Sequence, residues 1–391
     1  MLQFTKGQMV SKIRTAFLMF FLLCFSSYVL ADESSTEGKK FNAGDLIMEH
    51  VADNHEWHIL GEGKNSVSMP LPVILYNKER GLTCFMSSRF HHGEMAYAGY
   101  KIQDGSIIAV NETQEISVSQ TTNNEDLTAS TFDISITKNV AALFVSLILM
   151  VWIFMSVAKS YRRREGEAPK GMQSFVEPLI VFVRDDIAKG SIGPKYYKYM
   201  PYLLTVFFFI LINNLLGLVP ILPGGANVTG NLAVTGTLAI ITFVITLLSA
   251  NKHYWRHVFA MPGVPIPVLI ILTPIEILGV FLRPFVLMIR LFANITAGHI
   301  IALSFFSLIF IFGEISAAVG LGVSIVSVAF VVFMTILEIL VAFLQAYVFT
   351  LLSAIYFGAA LEEHDHPHDE NNEEANPHFN PERHIAEAAI I

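Results

Sequence analysis

PIPVLIILTPIEILGVFLRPFVLMIRLFANITAGHIIALSFFSLIFIFG, residues 265–313, is an apolar run broken only by the ionisable residues Glu276, Arg283, Arg290 and His299. A guanidinium cannot be neutralised by losing its proton. At mid-bilayer a charge costs at least about 2.5–3.5 kcal/mol on insertion scales. Arg290 therefore needs a bundle interior, an aqueous cavity or a partner carboxylate, and such a residue marks an ion pathway by default. In a helix, a seven-residue step returns to within about 20° of the starting face. Glu276, Arg283 and Arg290 are spaced by sevens and form one polar stripe about 21 Å long, with Asn294 one turn beyond. His299, nine residues after Arg290, points to roughly the opposite face. On the next apolar run, Glu338 is the lone charge, and Gln345 shares its face.

Outward from this stretch, the composition fits a multi-span membrane protein. The 391 residues are 53% hydrophobic and 15% charged, where soluble domains carry about 25% charged residues. Mean hydropathy is +0.54. The net charge of −8 comes from acidic residues at the two ends and gives no sign of nucleic-acid binding. Cys24 and Cys84 form no CxxC motif, so neither a disulfide framework nor attached haem is expected.

Residues 1–31 read as a signal peptide: Lys6, Lys12 and Arg14 precede an apolar core from Ala16 to Leu30, and Val29-Leu30-Ala31 suits cleavage. An uncleaved anchor helix is the alternative. Residues 32–137 hold short alternating runs such as Leu71–Tyr76 and Ser106–Val110, punctuated by Gly81, Gly93 and Gly105, and predict a small β-rich extracytoplasmic domain. Its last part, 112–131, reads as a linker. Spans are expected at about 139–158, 201–221, 231–250, 265–313 and 315–361, within a membrane domain of 138–361. Pro220, Pro223, Gly224 and Gly225 supply the turn between the second and third. Pro274 and Pro284 can bend the fourth. The basic clusters at 159–164 and 252–257 place those ends in the cytoplasm. Residues 173–189 predict an amphipathic surface helix. Residues 362–391, with His364, His366 and His368, predict a disordered cytoplasmic tail. The fold class is thus an all-α integral membrane protein carrying a small β-rich N-terminal domain.

The bland alternative is that such charges pair to hold helices together, with Asn and Gln as interhelical glue. Several ionisable groups on two adjacent, over-long helices make a hydrated pathway the more economical reading. Leu287-Met288-Ile289-Arg290-Leu291-Phe292-Ala293-Asn294, ending Ala297-Gly298-His299, resembles the signature of subunit a of F-type ATP synthases. So do Asn213–Pro220, Pro265-Ile266-Pro267, Pro274-Ile275-Glu276-Ile277, Leu344–Phe349 and Leu361-Glu362-Glu363-His364. The resemblance covers about 139–364, with its motifs in order.

The resemblance implies a non-catalytic stator subunit in a bacterial inner membrane, packed against a ring of c subunits, the b-subunit peripheral stalk, other synthase subunits and lipid. Arg290 matches the arginine that faces ring carboxylates between two aqueous half-channels. Glu276 would line a half-channel, and Gln345 would lie near Arg290 across the helix pair. His299 and Glu338 exchange the residue types of some bacterial members, which implies a short relay between neighbouring helices. Asn294 belongs to the proton-path set. Arg283, often basic in the family, and Asn214 take structural or interfacial roles; Arg283 is expected to snorkel. The turn Gly224–Thr229 lacks the acidic residue of many members, and Asn227 is expected to cap the next helix.

No cofactor, resident metal or nucleotide is expected, since there is no Walker A motif. His50, His55, His58, His91 and His92 read as surface histidines rather than a metal site. The sequons at Asn111, Asn227 and Asn294 read as chance matches. A stand-alone secondary transporter would show internal repeats with paired broken helices, which are not seen. A non-conducting scaffold is the other rival.

Overall fold

The computed structural model describes residues 42–44, 47, 51–60, 67–103, 105–111, 116–118, 121–164, 167–219, 225–261 and 264–362. The expected leader 1–31, Cys24, His50, the turn residues Pro220, Pro223 and Gly224, and the tail beyond 362 lie outside them.

The β-rich region runs β1 (Glu56–Leu60), β2 (Val67–Pro70), β3 (Pro72–Asn77), β4 (Gly81–Met86), β5 (Met95–Ala96), β6 (Tyr100–Gln103), β7 (Ser106–Ala109), β8 (Ile116–Ser117) and β9 (Thr131–Asp133). Every pairing is antiparallel. The central strand β3 lies between β4 and β9. Period-two alternation decides its faces: Val73, Leu75 and Asn77 point inward and are fully buried, while Tyr76 points out. Phe90, Tyr100 and Ala109 close this small core.

Of the segment 112–131, expected as linker, the described residues 116–118 and 121–131 contribute structure. The helix α1 (Glu125–Ala129) is capped by Asn124, whose side chain accepts from the Leu127 N–H at 3.0 Å, and β9 follows at once. Polar composition reads as loop, but here the polar side chains cap and bridge. Asn77 carries much of that bridging. Its amide nitrogen lies 2.8–3.0 Å from Leu127 O, Ser130 Oγ and Thr131 Oγ1, and its oxygen accepts from the Glu79 and Arg80 N–H groups.

Two of the histidines here pair with acids. His55 Nε2 donates to Asp133 Oδ2 and His92 Nδ1 to Glu56 Oε2, both at 2.9 Å. Burial raises the Asp133 carboxyl, but hydrogen bonds from His55 and Ser135 outweigh it and hold the group below its ordinary range. Among the described residues, no group of three or more His, Cys, Asp or Glu is placed to hold a metal.

The helical part comprises α2 (Lys138–Arg163), α3 (Met172–Phe182), α4 (Met200–Gly217), α5 (Leu232–Ser249), α6 (Lys252–Phe259), α7 (Ile266–Ile315) and α8 (Ala317–Leu361). Among the described residues, α2, α4, α5, α7 and α8 are long and apolar enough to cross a membrane. The surface segment is a helix only to Phe182, with Pro178 inside it, and continues as a π turn over Val183–Lys189. Val176, Val183, Ile187 and Ala188 form its buried side.

The helices α7 and α8 have 50 and 45 residues. At about 1.5 Å per residue they run about 75 and about 68 Å, against an apolar membrane thickness of about 30 Å. They can cross only if tilted or curved. Both Pro274 and Pro284 sit inside α7 without ending it. Gly313 and Gly320 let the hairpin close: a Cβ on Gly320 would stand 2.8 Å from Gly313 Cα.

The core sits around α4, whose Leu203, Val206, Phe207 and Ile210 are buried against Leu287, Leu291, Ala346, Phe349 and Phe357. Lipid offers no hydrophobic gain for this packing, so close approach of small residues has to supply it. Ala342, Ala346, Ser353, Ala354, Gly358 and Ala360 provide that strip along α8, all but Gly358 being buried. Gly358 lies directly against the Ser191 carbonyl, where no Cβ fits.

Asn77→Ala strands several buried groups and is expected to weaken the β-rich domain by about 1–3 kcal/mol. Amide hydrogen exchange across β3, α1 and β9 in the full chain checks this; native-level protection would contradict it.

Candidate functional site

The hairpin of α7 and α8 presents a broad unpartnered apolar side, and Arg290 stands on it. Its neighbours Phe285, Val286 and Ile289 are exposed, as are Phe333, Ile336 and Leu340 on α8. Arg290 and Asn294 are exposed with them. Among the described residues, no carboxylate pairs with the Arg290 guanidinium. The inward side of the same turns is formed by Leu287 and Leu291, each 1% exposed, and Arg290 stands at the edge of that side with its side chain exposed.

The sevenfold stripe does not share one environment. Arg283 is half-buried, with its guanidinium carbon 5.6 Å from the Tyr356 ring centre on α8. It lines a small cavity with Thr242, Thr246, Tyr254, Val280 and Leu287. That is an inward, aromatic-held position. Glu276, half-buried, lies on the same side: burial pushes the Tyr254 phenol up, Arg283 opposes, and Glu276 adds to the rise. Gln345, 5% exposed, donates from Nε2 to the backbone carbonyl of Arg290 at 3.4 Å, tying α8 to the turn that carries the arginine.

On the other face of α7, His299 faces the end of α4, and Glu338 of α8 meets the α7 backbone beside it. A Cβ on Gly298 would stand 2.6 Å from Glu338 Oε1, so the carboxylate reaches the α7 backbone one residue before His299. A Cβ on Gly217, at the end of α4, would stand 3.8 Å from His299 Nε2 and 3.4 Å from the Ala226 carbonyl. Gly217 therefore leaves room for His299, and Gly298 for Glu338. Close by, buried Asn214 donates to Ala342 O at 3.3 Å and accepts from Thr229 Oγ1 at 2.6 Å. Thr296 Oγ1 reaches the Gly230 carbonyl at 3.5 Å. These contacts form a polar seam joining the 225–231 loop to α4, α7 and α8.

Within that loop the helix cap is Asn231, not Asn227. Asn231 accepts from the Ala233 N–H at 2.9 Å, because α5 begins only at Leu232. Asn227 instead accepts from the Gly230 N–H at 2.8 Å and shapes the turn before it.

Sequence reasoning passed over Thr229 and Thr296 by treating them as the ends of chance sequons. Gly217 and Gly298 lay inside the quoted motifs, and their lack of a side chain was the available signal.

Comparison with known proteins adds independent findings. The family described as ATP synthase A chain matches residues 140–358, and a domain of unknown function, DUF8433, matches residues 46–134. Among similar proteins, ATP synthase subunit a 2 of Chlorobaculum tepidum is 49% identical over 250 residues, 62% of this chain and 68% of that protein. ATP synthase subunit a of Chloroherpeton thalassium is 46% identical over 239 residues, 60% of this chain and 69% of that protein. ATP synthase subunit a of Anaeromyxobacter dehalogenans is 38% identical over 270 residues, 66% and 67%.

Proposed function

The chain belongs to the ATP synthase A chain family, and from that premise we propose that it is the proton-conducting stator subunit of a rotary F-type ATP synthase. The observation that carries the reading is Arg290: a permanent cation on the exposed apolar side of the hairpin, unpaired by any described carboxylate. That side is where a ring of c subunits would pass, each helix bringing a carboxylic acid. Beside a guanidinium an acid ionises more readily, so each passing group would give up its proton near Arg290 and take another beyond it. The fixed cation also repels protons that would leak directly between two half-channels. Ion flow then requires the ring to turn, and each charge crossing 100 mV releases about 2.3 kcal/mol to drive it.

The polar seam of Asn214, Thr229, Thr296, His299 and Glu338 supports one half-channel, opening outward at the 225–231 loop. Glu276 lines the other, on the side of α6, whose basic and aromatic residues suit the cytoplasmic interface. Arg283 and Gln345 hold the α7–α8 pair in register, and Asn294 extends the polar face that meets the ring. The β-rich domain lies outside the cytoplasm and the C-terminus inside, in a bacterial inner membrane. Nucleotide chemistry belongs to partner subunits, reached through the c-ring, the b-subunit stalk and the rest of the complex.

Arg290→Ala is expected to abolish coupled ATP synthesis in membrane vesicles while the assembled complex stays at native amount. Normal coupled synthesis in that variant contradicts the reading. Gly298→Ala is expected to displace the Glu338 carboxylate by about 1 Å and lower ATP-driven proton pumping by about tenfold to a hundredfold. Dye-quench assays on inverted vesicles measure this, and native pumping would remove Glu338 from the path.

A further inference from the structure

We propose that Asp53, in the β-rich domain, is a positioning residue for the outer proton port, latching the 225–231 loop to the head of α2. This rests on the outward half-channel of the proposed function. Asp53 Oδ1 accepts from the Asn139 N–H at 3.0 Å, and Oδ2 accepts from Thr137 Oγ1 at 2.9 Å. Asn231 Nδ2, on the loop, reaches the same Oδ2 at 3.5 Å. The Asn54 carbonyl accepts from the Lys138 N–H at 2.9 Å. The first N–H groups of a helix lack partners within it, and one stretch of the β-rich domain satisfies two of them while holding Asn231.

An apolar contact backs the latch. Trp57 and Leu71, each 5% exposed, pack with Ala142 of α2 and with Ala226 and Val228 of the loop. The loop is thus gripped by the β-rich domain at both ends, through Trp57 and Leu71 at 226–228 and through Asp53 at 231. The β-rich region and the helices belong to one compact unit beginning at Ala43.

The loop is also the outer wall of the seam. The Ala226 carbonyl and His299 Nε2 converge on the same point above Gly217, and Thr229 bonds Asn214. Moving the loop therefore moves the wall beside His299. Asn139 Oδ1, Asn213 Oδ1 and Asn227 Nδ2 are buried without a partner, one on each of the pieces that meet here. Buried amides of this kind call for water, as the mouth of a proton path requires. The loop has no acidic residue of its own, so the carboxylate bonded to it comes from the added domain.

The test uses the intact complex in vesicles, with Asp53→Ala, Asp53→Asn and Asn231→Asp. The last keeps a capping oxygen for α5 but sets a second carboxylate against Asp53, so it breaks the latch from the loop side. Asp53→Ala and Asn231→Asp are expected to speed amide exchange at 225–231 by roughly tenfold, the loss of one hydrogen bond to a charged group. Both are expected to raise the outside proton concentration needed for half-maximal flux several-fold, with flux recovering toward native at saturating acid. Asp53→Asn, which keeps one acceptor oxygen able to face Asn231 but loses the other to a donating NH2, is expected to restore part of both. Native exchange and native half-saturation in the first two variants would overturn the proposal. So would an equal loss of flux at all proton concentrations, or failure of Asp53→Asn to rescue. Should Arg290→Ala retain coupling, the proton reading falls while the exchange data still decide whether the latch exists.

Discussion

A charge that cannot be discharged sits on the apolar side of a long hairpin, and the hairpin cannot be stable in lipid with that charge left alone. Leu287 and Leu291 fill the inward side of the same turns, and Arg290 stays exposed at its edge. Among the described residues no carboxylate meets it. The proposed partner is a moving carboxylate, which explains why the meeting surface is smooth and apolar around one cation rather than knitted by fixed ion pairs.

Behind that surface the polar groups are short, neutral and locked. Asn214, Thr229, Thr296 and Gln345 each bond a backbone carbonyl or another side chain across helices. In a bilayer these bonds are worth only about 1 kcal/mol apiece, so their main effect is to set register. Small residues along α8 let the helices approach closely, and the glycines at 217 and 298 leave room for His299 and Glu338. The β-rich domain extends this order outside the helices, since Asp53 and Trp57 attach to the very loop that walls the space beside His299.

How much of this was legible in the sequence depended on the kind of residue. Charges in an apolar run are rare enough that Glu276, Arg283, Arg290 and Glu338 announce themselves, and nine-residue spacing separates His299 from Arg290 by face alone. The same arithmetic grouped Arg283 with Arg290, yet Arg283 turns in beneath Tyr356. A seven-residue step drifts by about 20°, and a residue at the edge of the stripe goes wherever a partner lies. The loop 225–231 was not readable, because its bonds run to residues 53, 214 and 296, which only the fold brings near. Residues 124–131 misled for a related reason: Asn, Thr and Ser look like linker until their side chains are seen capping α1 and bracing β3 through Asn77.

The most direct measurement is a density map of the purified membrane complex, fine enough to place side chains at the hairpin. The account predicts the Arg290 guanidinium facing a ring of helices that carry carboxylates, with water-filled cavities reaching it from opposite sides of the membrane. A guanidinium turned toward lipid, or enclosed in a dry pocket far from any ring, would contradict it.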